Sequence, residues 1–195
     1  MSELARALAL ARACRLCAAD LPLGPRPILQ IGRRARVLIV SQAPGRCAHL
    51  SGIPFDDRSG DTLRSWLGLG RGSFYDPDRV AILPIGLCYP GRGRGGDLPP
   101  RPECAPLWHE RLLGLMPELC LVLPIGRHAQ ARVLGTRRRA SLTETVRAFR
   151  DYLPDHCPLP HPSPRNGAWL GRHPWFEDEV LPVLRRQVRG ALRLR

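Results

Sequence analysis

Four short apolar runs recur along the chain and predict buried strands. Valine, leucine and isoleucine dominate residues 36–41, 80–85 and 119–125, and a shorter extended run covers residues 157–160. Apolar runs of this length, without alternation, are typical of strands that are buried on both faces of a parallel sheet. The segments between the runs show helical spacing instead, so strands and helices alternate.

Helices are predicted where apolar residues recur every three or four positions. This spacing occurs in residues 2–14, 59–69, 107–115 and 176–194, and in two pieces of residues 127–150 that are separated by arginines 137–139. Asp56, Asp57 and Ser59 are candidate caps for the second of these helices. The alternation predicts an α/β fold with three αβα layers around a central, mostly parallel four-stranded sheet, in a single domain over residues 1–195.

The charge balance points to a nucleic-acid partner. The 195 residues carry 30 Lys and Arg against 17 Asp and Glu, a formal net charge of +13, and all of these basic residues are Arg. A compact basic protein gains affinity for DNA because it neutralises phosphates and releases their counterions. With 44% hydrophobic residues the chain can also bury a core.

The expected location is the cytoplasm. No apolar run approaches the roughly 20 residues of a membrane helix, and residues 1–14 lack the apolar stretch of a secretory signal. Seven cysteines, an odd number, argue against a secreted disulfide framework and for reduced thiols or a metal site. We therefore expect a monomeric protein with no membrane partner.

Two polar segments follow predicted strands, at the positions where a site would form. Residues 41–45, Ser-Gln-Ala-Pro-Gly, follow the first strand, and residues 161–166, His-Pro-Ser-Pro-Arg-Asn, follow the fourth. Ligands bind at the carboxyl ends of the strands in open parallel sheets. We therefore expect these two segments to share one cleft.

Three motifs, in this order, resemble the cleft motifs of the uracil-DNA glycosylase superfamily. They are Ser41-Gln-Ala-Pro-Gly45, Gly52-Ile-Pro-Phe55 with Gly60 following, and His161-Pro-Ser-Pro164. The closest class is the iron–sulfur class, family 4, which has an N-terminal Cys-x-x-Cys and two later cysteines. That arrangement is reproduced by Cys14, Cys17, Cys88 and Cys104. The resemblance covers roughly residues 10 to 165 and implies the fold of this superfamily and excision of bases from DNA.

The resemblance implies that these four cysteines hold a [4Fe–4S] cluster with a structural role. A structural zinc ion is the competing occupant, because zinc is also bound by four thiolates. Reduced thiols that bind no metal are a third possibility. The remaining cysteines, Cys47, Cys120 and Cys157, are predicted to be small core residues.

Excision of a base needs a stacking surface, a hydrogen-bond donor and a pocket for the extruded nucleotide. The resemblance assigns stacking to Phe55 and donation to the base carbonyl to His161. Gln42 is a candidate to position the water or the base. The base pocket would be formed by Ser41, Ala43, Pro44 and Gly45.

The group that activates water is not where the family motif has it. The glutamate of the nearest class is Gln42 in this chain, and Ala43 stands where other classes have Asp or Asn. Asp56 and Asp57, which follow Phe55, are the candidate replacements. Either carboxylate could instead cap a helix or lie in a solvated turn.

Two further departures leave the preferred base open. Pro84 stands where the family has an asparagine that reads the base, and Gly45 stands where one class has a tyrosine that excludes thymine. DNA contacts are expected from Ser163, Arg165 and Asn166. Arg165 would either fill the gap left by the flipped base or contact a phosphate.

These residues predict a DNA-repair enzyme that flips uracil, or another deaminated base, and hydrolyses its N-glycosidic bond. The enzyme should be monofunctional, because the chain has no lysine for a Schiff base with the sugar. A weakly active or inactive protein of the same fold, binding DNA or abasic sites, is the alternative, since the first motif lacks its acid. A zinc nucleobase deaminase is excluded because the chain lacks the required His-x-Glu and Pro-Cys-x-x-Cys motifs.

Overall fold

Strands and helices alternate along the computed structural model, which describes residues 1–193. The strands are β1 (Val37–Val40), β2 (Val80–Ile82), β3 (Arg92–Gly93), β4 (Gly96–Asp97) and β5 (Leu121–Pro124). The α-helices are α1 (Glu3–Arg12), α2 (Arg46–Ser51), α3 (Arg58–Leu67), α4 (Arg71–Phe74), α5 (Cys104–Leu113), α6 (Gly126–Leu134), α7 (Leu142–Arg147), α8 (Gly167–Arg172) and α9 (Leu181–Leu192). Within this part of the chain, no helix is long and apolar enough to cross a membrane.

The central sheet is parallel and has the strand order β2-β1-β5. Val37 of β1 lies opposite Val80 of β2 on one side and opposite Leu121 of β5 on the other. The carboxyl ends of the three strands therefore lie at the same edge of the sheet, as the apolar runs predict. A small antiparallel hairpin, β3 with β4, lies outside this sheet.

The predicted fourth strand is an extended segment that runs parallel to the outer edge of β5. The amide of Leu159 donates to the carbonyl of Pro124 at 3.0 Å, and the amide of Gly126 donates to the carbonyl of Leu159 at 2.9 Å. The contact consists of isolated bridges rather than a continuous ladder. Leu159 bonds to β5, whereas Pro158 and Pro160 on either side of it have no N–H to donate. These two prolines therefore lie on the side of the segment away from β5, as expected of an edge strand. The sheet thus has three regular strands and one irregular edge segment.

Helices cover both faces of the sheet. Val37 and Ile39 pack into an apolar cluster with α3 and α9, whereas Leu38 and Val40 pack into a second cluster with α1 and α5. Alternate residues of one strand point to opposite faces, so β1 contributes to both cores. This arrangement gives the predicted three layers.

The helix bounds differ from the predicted ones mainly at the ends. The predicted helix over residues 107–115 begins earlier, at Cys104. The predicted helix over residues 176–194 is a π-helical turn, Phe176–Val180, followed by α9, and residue 194 lies outside the described residues. Of the three candidate caps for α3, Asp57 is the one that caps it.

Residues 89–102, whose glycine and arginine content is typical of a surface loop, are more ordered than this composition suggests. This segment contains the hairpin β3–β4, and its first residues, 89–91, are buried. The amide of Leu98 donates to the carbonyl of Gly91 at 2.9 Å and closes the base of the hairpin. The glycine and arginine content that predicts a surface loop does not exclude a tight two-residue ladder, because glycine permits the sharp backbone turns it needs.

Candidate active site

A cleft opens at the carboxyl edge of the sheet, and both predicted site segments lie in it. Residues 41–45 leave β1 there, and residues 161–166 leave the extended edge segment there. Their predicted convergence is therefore observed. The predicted site residues that line this cleft are Ser41, Ala43, Pro44, Gly45, Phe55, Asp57, His161, Ser163 and Arg165.

The Phe55 ring forms one wall of the cleft, and its backbone is held in an unusual conformation. Its φ is +55°, a value that non-glycine residues rarely adopt. The hydroxyl of Tyr75 donates to the Phe55 carbonyl at 3.1 Å, and a Cβ on Gly60 would overlap that same carbonyl oxygen. The ring also packs edge-on against Phe74, with centroids 6.4 Å apart. Such constrained conformations are typical of functional positions.

His161 is partly buried in the same cleft. Burial lowers the pKa of His161, while the carboxylates of Asp57 and Asp97 act in the opposite direction. The imidazole is therefore neutral at pH 7 and can donate one N–H to a ligand without carrying a charge. The side-chain amide of Asn166 donates to the His161 carbonyl at 2.7 Å and fixes this segment.

Gln42 binds the neighbouring loop instead of pointing to the cleft. Its side-chain amide donates to the carbonyl of Leu98 at 2.7 Å. The backbone of the first motif is tied to the segment after β2, because the carbonyls of Ser41 and Gln42 accept from the amides of Ile85 and Gly86 at 2.9 and 3.0 Å. In this arrangement Gln42 holds a loop and lines a groove that adjoins the cleft, and its predicted role in positioning the water or the base stays a prediction.

The two candidate acids after Phe55 lie in different surroundings. Asp57 lines the cleft, and its Oδ1 accepts the amide of Gly60 at 2.9 Å as the cap of α3. Asp56 faces Arg71, with 3.7 Å between the charged atoms. Asp57 thus both caps α3 and lines the cleft, whereas Asp56 is not among the residues that line the cleft.

Asp97 also lines the cleft and was not predicted. A Cβ on Gly45 would lie 3.6 Å from Asp97 Oδ2 and 3.9 Å from Asp57 Oδ2, so both carboxylates face the first motif. Sequence reasoning missed Asp97 because it lies in a segment of glycine and arginine that is typical of a solvated loop. The available signal was an acidic residue in a basic segment between two of the candidate ligand cysteines.

The residues that follow His161 form the rim of the cleft. The hydroxyl of Ser163 accepts the amide of Arg165 at 3.3 Å, which caps a short helical turn. The guanidinium of Arg165 is exposed and donates to the carbonyl of Gly95 at 3.3 Å, at the tip of the hairpin. Pro84 lines the cleft itself, and its carbonyl lies 2.9 Å from Nε2 of the buried His109.

The four candidate ligand cysteines line a second cavity together. It is lined by Cys14, Cys17, Cys88 and Cys104, and also by Arg101 and Trp108. Burial raises the pKa of Cys17 and Cys88, and that of Cys104 to about 12. Across residues 1–193, no group of three or more His, Cys, Asp or Glu residues forms a ready site for a single metal ion.

Two buried nitrogen atoms beside these thiols have no hydrogen-bond partner among the described residues. They are Nε of Arg101 and Nε1 of Trp108. A buried N–H without an acceptor is costly, and native structures leave few of them unexplained. Elsewhere, Cys157 is buried as predicted, whereas Cys47 and Cys120 are exposed, which corrects their prediction as core residues.

The family model described as "Uracil DNA glycosylase superfamily" matches residues 30–185, which contain β1, the cleft and the fourth edge segment. The match covers well over half of the chain. It includes each of the three cleft motifs and begins after Cys14 and Cys17.

Proposed function

The chain belongs to the uracil DNA glycosylase superfamily, and from that premise we propose that it excises uracil, or another deaminated base, from DNA. The observation that carries the proposal is that Phe55 and His161 line one cleft at the carboxyl edge of the sheet. An extruded base would stack on the Phe55 ring while His161 donates to its carbonyl oxygen.

His161 would stabilise the leaving base. When the bond between the base and the sugar breaks, negative charge develops on the base, and a pre-positioned donor at that charge is a large catalytic contribution. Because burial lowers the pKa of His161, the donor is a neutral imidazole at pH 7. A neutral donor does not need to lose a proton or to be desolvated as an ion when the base binds.

DNA binding follows from the charge of the chain and from the rim of the cleft. The formal net charge is +13, and the exposed Arg165 lies beside the cleft with Ser163 and Asn166 nearby. We propose that these rim residues contact the DNA backbone around the extruded nucleotide. Without a lysine in the chain, the reaction ends at the abasic site and leaves the strand intact.

The four cysteines fit a [4Fe–4S] cluster that is held by Cys14, Cys17, Cys88 and Cys104. Their shared cavity and the two unpartnered N–H groups of Arg101 and Trp108 support this assignment, because thiolate and sulfide sulfurs accept hydrogen bonds. When bound, the cluster would crosslink the N-terminal segment to the segment that contains the hairpin. A structural zinc ion bound by the same four thiolates is the alternative occupant.

A catalytically weak protein that binds DNA or abasic sites is the second candidate. The observation in its favour is that the first motif carries Gln42 in place of an acid, and that this side chain is bound to Leu98. Such a protein would keep the cleft and the charge but release no base.

An oligonucleotide panel separates these two candidates. Duplex and single-stranded DNA with uracil, hypoxanthine, xanthine or mismatched thymine is incubated with excess protein and then cleaved with alkali at abasic sites. We expect His161→Ala to slow single-turnover excision by roughly 10² to 10³-fold while DNA binding persists. His128→Ala, a histidine of α6 outside the cleft, is the matched control and should retain the wild-type rate. Binding of the panel without base release by the wild-type protein would favour the second candidate.

A further inference from the structure

The hairpin β3–β4 brings a carboxylate to the mouth of the cleft. Asp97 is the last residue of β4, and it lines both the cleft and an adjoining groove that runs past Gln42 and Asn166. Asp57 lines the cleft but not this groove. The sugar of an extruded nucleotide must lie at the mouth, since the base enters the cleft and the phosphates stay at the rim. Asp97 is therefore the carboxylate nearer to the sugar.

Residues in or next to the first and third cleft motifs hold this hairpin through hydrogen bonds. Gln42 of the first motif donates to the carbonyl of Leu98, the residue after Asp97, at 2.7 Å. Arg165, which follows the third motif, donates to the carbonyl of Gly95 at 3.3 Å. Two tethers, one on each side in sequence, restrict where Asp97 can lie relative to the rest of the cleft.

Asp97 is also close enough to the other reacting groups to act with them. Its Oδ2 lies 3.6 Å from the position of a Cβ on Gly45, and its charge acts on His161. Asp57 Oδ1 is already used as the cap of α3 through the amide of Gly60. Of the two carboxylates, Asp97 is on the hairpin side, and Asp57 lies next to the Phe55 ring on the other.

We propose that Asp97 activates the water that attacks the sugar, in place of the acid that is missing from residues 41–45; this inference rests on the proposed function. The water oxygen forms a bond to C1′ of the deoxyribose as the bond from C1′ to the base nitrogen breaks. The electron pair of that bond leaves with the base, whose charge His161 stabilises. Asp97 accepts one proton of the water, and the released base takes up a proton afterwards, so that the products are an abasic site and a neutral base.

A catalytic role for Asp97 and a role in DNA binding predict opposite changes in affinity. Asp97 is exposed in the free protein and carries a negative charge on a surface that binds a polyanion. Removal of that charge should leave DNA binding unchanged or make it tighter. A slower reaction with undiminished binding would therefore be the signature of a catalytic carboxylate.

The test compares Asp97→Asn with Asp155→Asn. Asp155 is an exposed acid whose carbonyl accepts the amide of Val122 near the amino end of β5, away from the cleft, so the control makes the same charge change. We expect single-turnover excision of uracil to slow by about 10²-fold or more in Asp97→Asn, as for loss of a general base, with the wild-type rate in Asp155→Asn. Affinity for uncleaved DNA is measured in parallel.

A second variant separates chemistry from folding. In Asp97→Ala, sodium formate should restore part of the rate when compared with sodium chloride at the same ionic strength, because a free carboxylate can occupy the vacated space. An Asp97→Asn variant that excises uracil at the wild-type rate overturns this inference and leaves the proposed function standing. Wild-type protein that releases no base from any DNA of the panel overturns the proposed function and this inference with it. If Asp97→Ala excises uracil slowly, formate does not restore the rate and DNA binding is weakened, the role of Asp97 is structural. That result also overturns the inference.

Discussion

The two walls of the cleft are built in different ways. The Phe55 wall is packed on the core: Gly60 leaves room for the Phe55 carbonyl, Tyr75 donates to it, and Phe74 supports the ring. The opposite wall is the hairpin β3–β4, which pairs over two residues in each strand and is tethered by the side chains of Gln42 and Arg165.

In the proposed reaction, this difference would divide two tasks between two kinds of structure. The base would stack on the aromatic wall, whose shape is fixed by close packing and therefore tolerates little change. The water would be positioned by the hairpin wall, whose location is set by a few hydrogen bonds and by Cys88 and Cys104, which precede and follow this segment and line the second cavity. Substitutions in the first wall should mainly lower the free energy of unfolding, and substitutions in the second wall should mainly lower the rate of excision.

The largest effect is expected from Gly60→Ala in the aromatic wall. A Cβ at this position overlaps the Phe55 carbonyl oxygen, so the backbone of one residue or the other must move. We expect a loss of about 3 kcal/mol or more in the free energy of unfolding, together with loss of excision. Urea denaturation measures the first effect. Gly72→Ala, in α4 with open space around it, is the control and should be neutral or slightly stabilising.

Replacement of Cys88, which lines the second cavity directly before the hairpin segment, should have the next largest effect. If the proposed [4Fe–4S] cluster is held by the four cysteines, wild-type protein is brown and Cys88→Ser loses this colour. We also expect Cys88→Ser to lower the melting temperature by about 5 °C or more, the equivalent of about 2 kcal/mol at this chain length. Limited proteolysis should then cut within residues 89–102 sooner than in the wild type. Cys120→Ser, at an exposed cysteine, should match the wild type in all three measurements. A colourless wild-type protein that contains stoichiometric zinc would show that these cysteines bind a zinc ion instead of a cluster.

A smaller effect is expected when one tether of the hairpin is cut. Gln42→Ala removes the hydrogen bond to the Leu98 carbonyl, which is worth about 1 kcal/mol. Because this bond positions the hairpin, the loss should appear as a roughly 3- to 10-fold slower single-turnover rate, with a melting temperature lowered by only about 2 to 4 °C. Gln187→Ala in α9 is the control. A Gln42→Ala rate reduced as strongly as that of Asp97→Asn would instead indicate that Gln42 contacts the water or the base directly.

The smallest effect concerns the pH dependence of stability, to which His161, between the two walls, contributes. Burial lowers the pKa of His161 below its ordinary value of 6.5. As the pH falls through 6.5, the unfolded chain binds a proton that the folded chain does not, so the folded state loses stability. Thermal melts between pH 7.5 and about 5 should show this loss, and His161→Gln should reduce its slope. Burial also lowers the pKa of His49, His109, His128 and His156, which add to the wild-type slope.

The aromatic wall could be predicted from sequence, and the hairpin wall could not. His161 directly follows a predicted strand, and parallel strands bring such segments to one edge of the sheet. Phe55 was assigned through the resemblance of its motif to the family. Asp97 reaches the cleft only because of the way residues 89–102 fold between Cys88 and Cys104. That path depends on tertiary contacts such as the bond from Gln42, which no local pattern records. The exposure of Cys47 and Cys120 was missed for a similar reason, since composition alone does not say which side of a helix or strand faces the solvent.

The edge segment beside β5 was predicted from its apolar run, but its irregular pairing was not. The run over residues 157–160 predicts a fourth strand, and the segment lies beside β5. Its two prolines, Pro158 and Pro160, interrupt the regular ladder, which leaves the segment as an edge. The segment still delivers His161 to the cleft, because its direction along β5 matters more than its regularity.

Single-turnover release of free base from uracil-containing duplex DNA, with the wild-type protein in excess, tests the central claim most directly. We predict that uracil appears in solution together with an equal amount of alkali-labile abasic DNA, and that Phe55→Ala and His161→Ala each slow this release. Retention of intact uracil DNA by the wild-type protein, with no base released from any deaminated substrate, would contradict it.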